Sequence, residues 1–570
     1  MVTDRQGSER AIMDRQVDIL IVGSGGGALT AAVVAADRGA DVLVIEKGDR
    51  FGGTTATSGG VLWIPNSHRV AAAGQEDNDE DAIRYIRSLA GDVAPERIRA
   101  FVEAAPRMLR YLEERAGLRY DAIPYTDYHA EQPGGRLGYR SHEPHPLDGR
   151  LLGDALERMW PTHQSAMLFG KITWTASEAA PLISRSKGWQ RSLARVLWRY
   201  YSDVRQRVRS PRSRFLTSGN ALIGRLWLAL EARGVPLELN TALKDLIVEN
   251  GRVVGAEVVS GGKAGIIRAA RGVILAAGGY ERNGRLRGEH LTASPDAGWS
   301  GGQPYNEGDA LVAATRIGAA TERMDAAWWA PSVSVPGEDR ARPLFFERGL
   351  PGAIIVNQAG ERYTNEAASY HIVGSQMIAC DRPGAGTAPS WVLFDQVFRA
   401  RYPMGPVMPL PDAFLSKEVR SILHKADSID DLAQQIGVPP ARLIATVERF
   451  NRFARNGKDE DFGRGDNPYD RYYGDPKAGL NPNLAPLAKP PFYALRVDPG
   501  DIGTSGGLVT DVNGAVLDTS GRPLPGLYAI GNTSSSVMGR AYPGAGATIA
   551  PAMTFGMLAA EHATGRNNLA

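Results

Sequence analysis

The chain is predicted to be an α/β protein, because stretches near both of its ends combine a short apolar strand, a glycine-rich turn and a helix. Near the N-terminus the apolar run Val17–Val22 enters a glycine-rich turn and then a helical stretch of small apolar residues. Near the C-terminus the apolar run Leu527–Ile530 is followed by a loop, a second glycine-rich turn and a second helical stretch. Strands that enter helices through glycine turns are typical of Rossmann-like, doubly wound domains.

The N-terminal glycine turn has the spacing of a dinucleotide-binding fingerprint. It reads G-x-G-x-x-A, and its members are Gly23, Ser24, Gly25, Gly26, Gly27 and Ala28. Gly23 permits the tight turn, Gly25 lets the backbone approach a pyrophosphate, and small residues at 27 and 28 let helix and strand pack closely. Glu46 ends the next predicted strand, about 20 residues further on, where it can accept hydrogen bonds from a ribose diol.

A second glycine- and hydroxyl-rich loop directly after Glu46 favours FAD over NAD, because FAD has a further half that needs lining. The candidate cofactor contacts in this loop are Lys47, Gly53, Thr54, Ser58, Gly59 and Gly60. Leu237–Val248 is predicted to be one strand followed by a hairpin, and Gly272–Tyr280 a strand that enters a small-residue turn. Candidate contacts in these and the C-terminal segments are Ala242, Leu243, Ala277, Gly278, Gly531, Asn532, Ala547, Thr548 and Ile549.

Composition bounds the remaining possibilities. The 570 residues with 43% hydrophobic content can bury a large core and favour more than one domain. The net charge of +2 implies no general attraction to nucleic acid. The single cysteine, Cys380, excludes an internal disulfide framework and predicts a reducing, cytoplasmic location. We interpret His142 and His145, in a proline-containing loop, as surface or loop-packing residues and predict no metal site.

The second glycine turn, Tyr542–Gly546, is the strongest candidate for the reacting centre. It places one phenol and a run of backbone N–H groups at the start of a helix. Helix N-termini offer unpaired N–H donors and a partial positive charge, which suit a developing oxyanion or the edge of a flavin ring.

Longer sequence words extend these motifs over nearly the whole chain. They include YTDYHAEQPGGR, RGVILAAGGYE, ERYTNEAASY, YDRYYGDP and SVMGRAYPGAGATI. With them the chain resembles the fumarate reductase-type FAD-dependent oxidoreductases, and in detail the 3-ketosteroid dehydrogenases, most closely the Δ1 type. The resemblance implies a Rossmann-like FAD-binding domain, residues 1–328 and 490–570, with an inserted α+β catalytic domain, residues 329–489, that caps the substrate.

The resemblance also implies residue roles in the 1,2-dehydrogenation of 3-ketosteroids in steroid catabolism. The hydroxyl of Tyr542 and the N–H of Gly546 would hold the C3 carbonyl oxygen. Tyr370 would remove a proton from C2, with Tyr128 as its hydrogen-bonding partner, while hydride leaves C1 for flavin N5. An external electron acceptor, for which a quinone is one candidate, would reoxidise the flavin.

Three alternatives stay open at this point. A fumarate reductase would need a charged clamp, and residues 348–357 and 503–508 lack its pattern. Gly53 occupies the position of the linking histidine of covalent relatives, so FAD is predicted to bind non-covalently. A 3-ketosteroid Δ4-(5α)-dehydrogenase would bind the ketone oxygen in the same way and differ in the position of the product double bond. A flavin-binding protein with another apolar ketone as substrate, or without turnover, is the remaining alternative.

The basic segment, residues 183–215, is not explained by flavin chemistry. It holds ten Lys or Arg residues and one Asp. Its apolar residues recur at helical spacing and are Leu193, Val196, Leu197, Tyr200, Val204 and Val208. This pattern predicts a surface helix with a packed underside. A peripheral membrane contact is the alternative hypothesis.

Overall fold

The first sheet contains strands from both ends of the chain. The computed structural model describes residues 15–175, 177–179 and 188–565. Five parallel strands form the centre of this sheet, in the spatial order Pro523–Ala529, Lys263–Leu275, Arg15–Val22, Val42–Ile45 and Leu237–Glu238. Three antiparallel strands complete it, namely Ala515–Leu517, Thr241–Glu249 and Arg252–Ser260. The predicted Rossmann-like, parallel arrangement is confirmed.

The prediction of one strand over Leu237–Val248 is wrong, because the chain turns at Asn240. This residue has a φ of 55°, a left-handed conformation that ends the short parallel strand. The N–H of Asn240 donates to the Gly48 carbonyl at 3.0 Å, and the N–H of Thr241 donates to the Glu46 carbonyl at 2.8 Å. The turn therefore anchors the loop after Glu46 against the first residues of the next strand.

The fingerprint helix, Gly26–Asp37, packs directly on the C-terminal helix, Ile549–Ala563. A Cβ atom at Gly27 would lie 2.6 Å from the Ala552 carbonyl oxygen. A Cβ at Gly556 would lie 2.5 Å from the Gly27 carbonyl oxygen. Glycine at 27 thus permits close contact between two helices, whereas the sequence pattern predicted contact between helix and strand.

A second sheet lies beyond the first and is antiparallel throughout. Five strands run in the order Arg342–Pro343, Ala327–Val333, Phe492–Thr504, Ser390–Asp395 and Ala353–Val356, and Leu423–Ala426 also pairs with the third of them. Because strand Phe492–Thr504 pairs with strands on both sides, the two ends of the predicted inserted domain meet within this sheet. The boundaries at 328/329 and 489/490 stay predictions.

Helices cover both sheets. Those used below are His68–Ala72, Asp79–Ala90, Pro95–Ala116, Ser218–Glu231, Tyr370–Ala379, Ile429–Ile436 and Pro440–Asn456. The last two pack Leu432, Leu443 and Phe450 against the second sheet. Within the described ranges, no helix combines the length and apolar character needed to cross a bilayer.

The basic segment forms two helices, Trp189–Tyr201 and Val204–Arg209, and its residues 183–187 lie outside the described part of the chain. The first helix buries Val196 and Tyr200, as predicted. The second does not have the predicted underside, because Val204 and Val208 are 64% and 83% exposed and Gln206 is buried instead. The chain changes direction at Asp203, which has a non-helical conformation, so the apolar stripe does not continue across the break.

Candidate active site

The fingerprint turn leaves open space where a pyrophosphate can approach. Gly23 has a φ of 106°, and a Cβ there would lie 2.3 Å from the Ala276 carbonyl oxygen, so the turn requires glycine. In front of Gly25 a Cβ would meet only Thr55 Oγ1, at 3.6 Å. The fingerprint helix has no side-chain cap at its start. The Gly26 N–H donates to Thr55 Oγ1 at 3.1 Å, which leaves the next N–H groups, those of Gly27 and Ala28, to bind an anion.

Glu46 is half-buried at the end of its strand and retains acceptor capacity. The Ser24 hydroxyl donates to one carboxylate oxygen at 2.5 Å, and the Gly48 N–H donates to the other at 2.8 Å. Burial raises the pKa of Glu46, and these hydrogen bonds act against that rise. A carboxylate can accept about four hydrogen bonds, so both oxygens can also bind a ribose diol.

A side chain that contacts the second loop, Gln303, carries an unpaired acceptor. The Gln303 amide donates to the Gly53 carbonyl at 3.1 Å, and Asn306 donates to the Thr54 hydroxyl at 3.2 Å. The Gln303 Oε1 atom is buried and has no hydrogen-bond partner in the described structure. A buried acceptor of this kind fits a ligand N–H, which the pyrimidine part of a flavin carries.

The other predicted cofactor residues lie in the loops after the central strands, at the start of strand Thr241–Glu249 and at the start of the C-terminal helix. Ser58 bonds within its own loop and accepts from Gly60 N–H at 3.0 Å. Lys47 forms ion pairs with Glu307 and Asp309. The remaining candidates lie in five places. Gly59 is in the second loop, Ala242 and Leu243 begin the strand after the Asn240 turn, and Ala277 and Gly278 follow strand Lys263–Leu275. Gly531 and Asn532 form a 3₁₀ turn, and Ala547, Thr548 and Ile549 lie at the uncapped start of the C-terminal helix. Their individual contacts with FAD stay predictions, and the set as a whole fits FAD.

The three candidate catalytic tyrosines lie together in one buried cluster, to which we refer as the tyrosine triad. The ring centroids of Tyr370 and Tyr542 are 5.3 Å apart, and Tyr128 lies 5.4 Å from Tyr542 and 5.7 Å from Tyr370. Tyr370 begins helix Tyr370–Ala379, whereas Tyr128 and Tyr542 come from loops. Three distant parts of the chain thus place their phenols at one point.

Burial raises the pKa of every phenol in the triad, and those of Tyr128 and Tyr370 lie well above the usual range. The nearness of Tyr128 and Tyr542 raises the pKa of Tyr370 further, whereas Tyr370 acts to lower the pKa of the two other phenols. The raised pKa favours the protonated form of Tyr370. A role as base requires that a bound ketone change this pattern.

The glycine turn after Tyr542 presents N–H groups beside the triad. Gly546 has a φ of 97°, and a Cβ there would lie 2.5 Å from the backbone nitrogen of Trp63. No acceptor for the Gly546 N–H is present among the described residues. The carbonyls of Pro543 and Ala545 are bound elsewhere, by the Tyr128 N–H at 2.8 Å and the Ser141 hydroxyl at 2.9 Å. The turn can therefore donate to an oxyanion next to the Tyr542 hydroxyl.

Several residues around the triad were missed by reasoning from the sequence. The rings of Tyr469, Phe345 and Trp328 contact Tyr128, Tyr370 and Tyr542 at centroid distances of 4.9, 5.1 and 5.2 Å, respectively. Tyr469 is the first of three tyrosines in YDRYYGDP. Nothing in its spacing separates Tyr469 from the other two, because all three fall on one short helix, Pro468–Tyr473.

The histidines near the site do not form a metal centre. His142 is fully buried and its ring bonds to the Ser67 hydroxyl at 2.7 Å, so it packs within a strand and is not a surface residue. Burial lowers its pKa to about 4. His145 is exposed and pairs with Asp121 at 2.7 Å. Across the described ranges, no group of three or more His, Cys, Asp or Glu side chains could hold a metal ion.

Three buried phenols, a dinucleotide-binding fingerprint and a buried acceptor for a flavin N–H together define an FAD-dependent oxidoreductase of the fumarate reductase flavoprotein fold. The FAD binding domain family matches residues 18–549, and the chain belongs to it, with FAD as the cofactor. A 3-oxosteroid 1-dehydrogenase of Mycobacterium tuberculosis (strain ATCC 25618 / H37Rv) is 41% identical over 569 residues, which cover 96% of this chain and 98% of the relative. The chain therefore also belongs to the family of 3-oxosteroid 1-dehydrogenases.

Two further comparisons bear on the substrate. The crystal structure of 3-ketosteroid Δ1-dehydrogenase from Sterolibacterium denitrificans, in complex with 1,4-androstadiene-3,17-dione, matches with a TM-score of 0.92 and 44% identity. The match covers 97% of this chain and 100% of the Sterolibacterium denitrificans chain. A 4-oxocyclohexanecarboxylate 2-dehydrogenase of Sinomonas cyclohexanicum is 37% identical, with 96% of this chain and 93% of the relative covered. These relatives differ in whether the cyclic ketone carries a carboxylate.

Proposed function

We propose that this protein catalyses the 1,2-dehydrogenation of 3-ketosteroids, with non-covalently bound FAD as the hydride acceptor. The observation that carries the proposal is the tyrosine triad beside the free N–H of Gly546. When bound, the flavin would supply an oxidised ring that accepts a hydride, which is a proton with two electrons. The residues of this chain hold the ketone and move the proton.

The first step is binding of the C3 carbonyl oxygen by two donors. The Tyr542 hydroxyl and the Gly546 N–H are the donors, and both lie in the same turn. Negative charge develops on the carbonyl oxygen as the C2 proton leaves, so these hydrogen bonds strengthen toward the transition state. The burial of Tyr542 increases their effect, because water does not screen them.

The second step is removal of the C2 proton by Tyr370. In the structure the Tyr370 ring lies against the rings of Tyr128 and Tyr542, at centroid distances of 5.7 and 5.3 Å. A ketone that takes the Tyr542 hydroxyl as its donor leaves the Tyr370 oxygen to Tyr128. Tyr128 can then donate to the Tyr370 oxygen, which lowers the pKa of that phenol and stabilises its phenolate.

The walls around the triad favour an apolar ketone. The triad's ring neighbours Phe345, Trp328 and Tyr469 are aromatic. The nearby cation Arg348 is buried and donates to the carbonyls of Phe345 at 2.7 Å and Ala368 at 2.5 Å. Its Nη1 and Nη2 atoms are engaged in this way, and only its buried Nε has no partner in the described structure, so this guanidinium is poorly placed to bind a substrate carboxylate. We therefore favour a steroid over 4-oxocyclohexanecarboxylate.

The test is anaerobic reduction of the holoenzyme by candidate ketones. With 4-androstene-3,17-dione we expect the flavin band near ~450 nm to bleach and a C1–C2 double bond to form. Bleaching only by a 5α-saturated steroid, with a C4–C5 double bond in the product, would assign the Δ4 activity instead. Bleaching only by 4-oxocyclohexanecarboxylate would overturn the steroid assignment. No response to any of the three would leave a flavoprotein without an identified substrate.

We further propose that the basic segment rests on a membrane surface at the cytoplasmic face. Four large apolar residues of this segment are exposed, namely Trp198 (75%), Tyr201 (55%), Val204 (64%) and Val208 (83%). Exposed arginines alternate with them, namely Arg191, Arg195, Arg205 and Arg209. Apolar side chains between cations suit the interface of an anionic bilayer. Such a contact would bring lipophilic steroids and a quinone acceptor close to the enzyme.

The holoenzyme is accordingly expected to sediment with anionic vesicles at low salt and to release at high salt. Trp198→Ser with Val208→Ser is expected to weaken this binding about tenfold, because both side chains leave the apolar interface. Phe414→Ser is the matched control, since Phe414 is 75% exposed and lies outside the basic segment. Equal sedimentation of all variants, or none by the unmodified enzyme, would contradict the contact.

A further inference from the structure

The loops that carry Tyr128 and Tyr542 are joined by the hydroxyl of Tyr85, a residue of helix Asp79–Ala90. This hydroxyl donates to the Pro543 carbonyl at 2.7 Å. It also accepts from the His129 N–H at 3.1 Å. Pro543 directly follows Tyr542, and His129 directly follows Tyr128. One oxygen atom thus bonds to the neighbour of each of two triad members.

The ring that carries this hydroxyl is held firmly. Tyr85 is fully buried and packs on Trp63 at a centroid distance of 6.1 Å. The Arg140 guanidinium lies 5.7 Å from its ring centroid. Arg140 is itself fixed by Asp77 at 2.8 Å and Asp127 at 3.2 Å, both buried. The hydroxyl is therefore placed by a packed network and does not depend on a flexible side chain.

We infer that Tyr85 is a positioning residue that sets the orientation of the ketone-binding turn relative to Tyr128. The inference rests on the proposed function for its meaning in catalysis. The Pro543 carbonyl accepts two hydrogen bonds, from the Tyr85 hydroxyl and the Tyr128 N–H at 2.8 Å. The direction of this carbonyl fixes the peptide that leads from Tyr542 to Gly546. Loss of one bond frees the peptide to rotate and leaves the His129 N–H without its acceptor.

The test compares Tyr85→Phe with Tyr200→Phe in the holoenzyme. Tyr200 is also buried, also has a guanidinium over its ring, and its hydroxyl also donates to a proline carbonyl, Pro211, at 2.7 Å. The first measurement is amide hydrogen exchange of peptides that cover residues 126–130 and 541–548. We expect Tyr85→Phe to raise exchange about tenfold in both peptides, and Tyr200→Phe in neither.

The second measurement is ligand binding, followed by the flavin absorbance. We expect Tyr85→Phe to weaken binding of 1,4-androstadiene-3,17-dione about tenfold and to slow steroid-dependent flavin reduction about 10- to 100-fold. Binding of androst-4-en-17-one, which lacks the 3-ketone, is expected to change less than about twofold. A purely structural role would weaken both ligands alike and lower FAD content.

The two measurements separate the two possible failures. Unchanged exchange in both peptides would overturn the positioning role, whatever the steroid data show. Raised exchange with equal loss of both ligands would also overturn it, because the turn would then not act on the ketone. A third outcome is faster amide exchange in Tyr85→Phe together with an unmodified enzyme that no 3-ketosteroid reduces. It would refute the proposed function, while the role of Tyr85 in linking the two loops would stand.

Discussion

Replacing Tyr370 with phenylalanine is expected to slow steroid-dependent flavin reduction about 10³-fold and to leave FAD bound. The ring contacts with Tyr542, at 5.3 Å, and Phe345, at 5.1 Å, do not need the hydroxyl. Only the atom that would take the C2 proton is removed. The measurement is the anaerobic rate of bleaching after mixing with 4-androstene-3,17-dione, at equal FAD occupancy.

The size of this effect follows from the proton's energetics. A phenol has a usual pKa near 10, so holding it as a base near pH 7 costs about 4 kcal/mol, at about 1.36 kcal/mol per unit. Burial raises the pKa of Tyr370 further. The protein must offset this cost with the Tyr128 hydrogen bond and with the two donors that acidify the substrate's C2–H. No water-accessible base replaces Tyr370 once its hydroxyl is gone, since the triad is buried.

The control is Tyr363→Phe, which removes the hydroxyl of a half-buried tyrosine in the same sequence word, ERYTNEAASY. The Tyr363 hydroxyl bonds to Ser390 at 2.8 Å and lies outside the triad. Its loss is expected to leave the rate of flavin reduction within about threefold of normal, because no group of the triad contacts it. Near-normal reduction in Tyr370→Phe, or an equal loss in both variants, would remove Tyr370 from the role of base.

Local spacing was sufficient to predict the nucleotide-binding half of the molecule. The strand before Gly23, the turn itself and Glu46 lie within about 30 consecutive residues, the span of one βαβ unit, so sequence order specifies their arrangement. The break at Asn240 was missed because it depends on the contact of that residue with the Gly48 loop. The contact of Gly27 with Ala552 was missed for the same reason, since Ala552 lies at the other end of the chain.

The site itself depends on contacts that spacing does not encode. Tyr85 and its acceptor Pro543 are 458 residues apart, and in the sequence Tyr85 is one more apolar position of an amphipathic helix. Tyr128 and Tyr370 were found through the words that resemble the 3-ketosteroid dehydrogenases, not through spacing. The exposed Val204 and Val208 show the converse case, in which helical periodicity predicts burial that the fold does not provide.

Loss of the Tyr542 hydroxyl tests the other half of the chemistry. In Tyr542→Phe we expect flavin reduction to slow about 10²- to 10³-fold, the usual cost of one oxyanion donor. Steroid binding is expected to weaken much less, because the donor acts mainly on charge that develops as the proton leaves. The Gly546 N–H remains, since its position depends on a backbone φ of 97° and on close contact with Trp63.

Exchange of the C2 hydrogen separates this donor role from hydride transfer. Enzyme with reduced flavin cannot accept hydride, so in D₂O it reports only reversible proton removal from bound steroid. Tyr542→Phe is expected to lower this exchange by about the factor by which it slows flavin reduction, since both steps pass through the enolate. Tyr528→Phe, whose buried hydroxyl bonds to His562 at 2.9 Å, is the control. Normal C2 exchange with slow flavin bleaching would show that Tyr542 positions C1 for hydride transfer and does not stabilise the enolate. The assignment of its hydroxyl as a donor to the ketone oxygen would then be wrong.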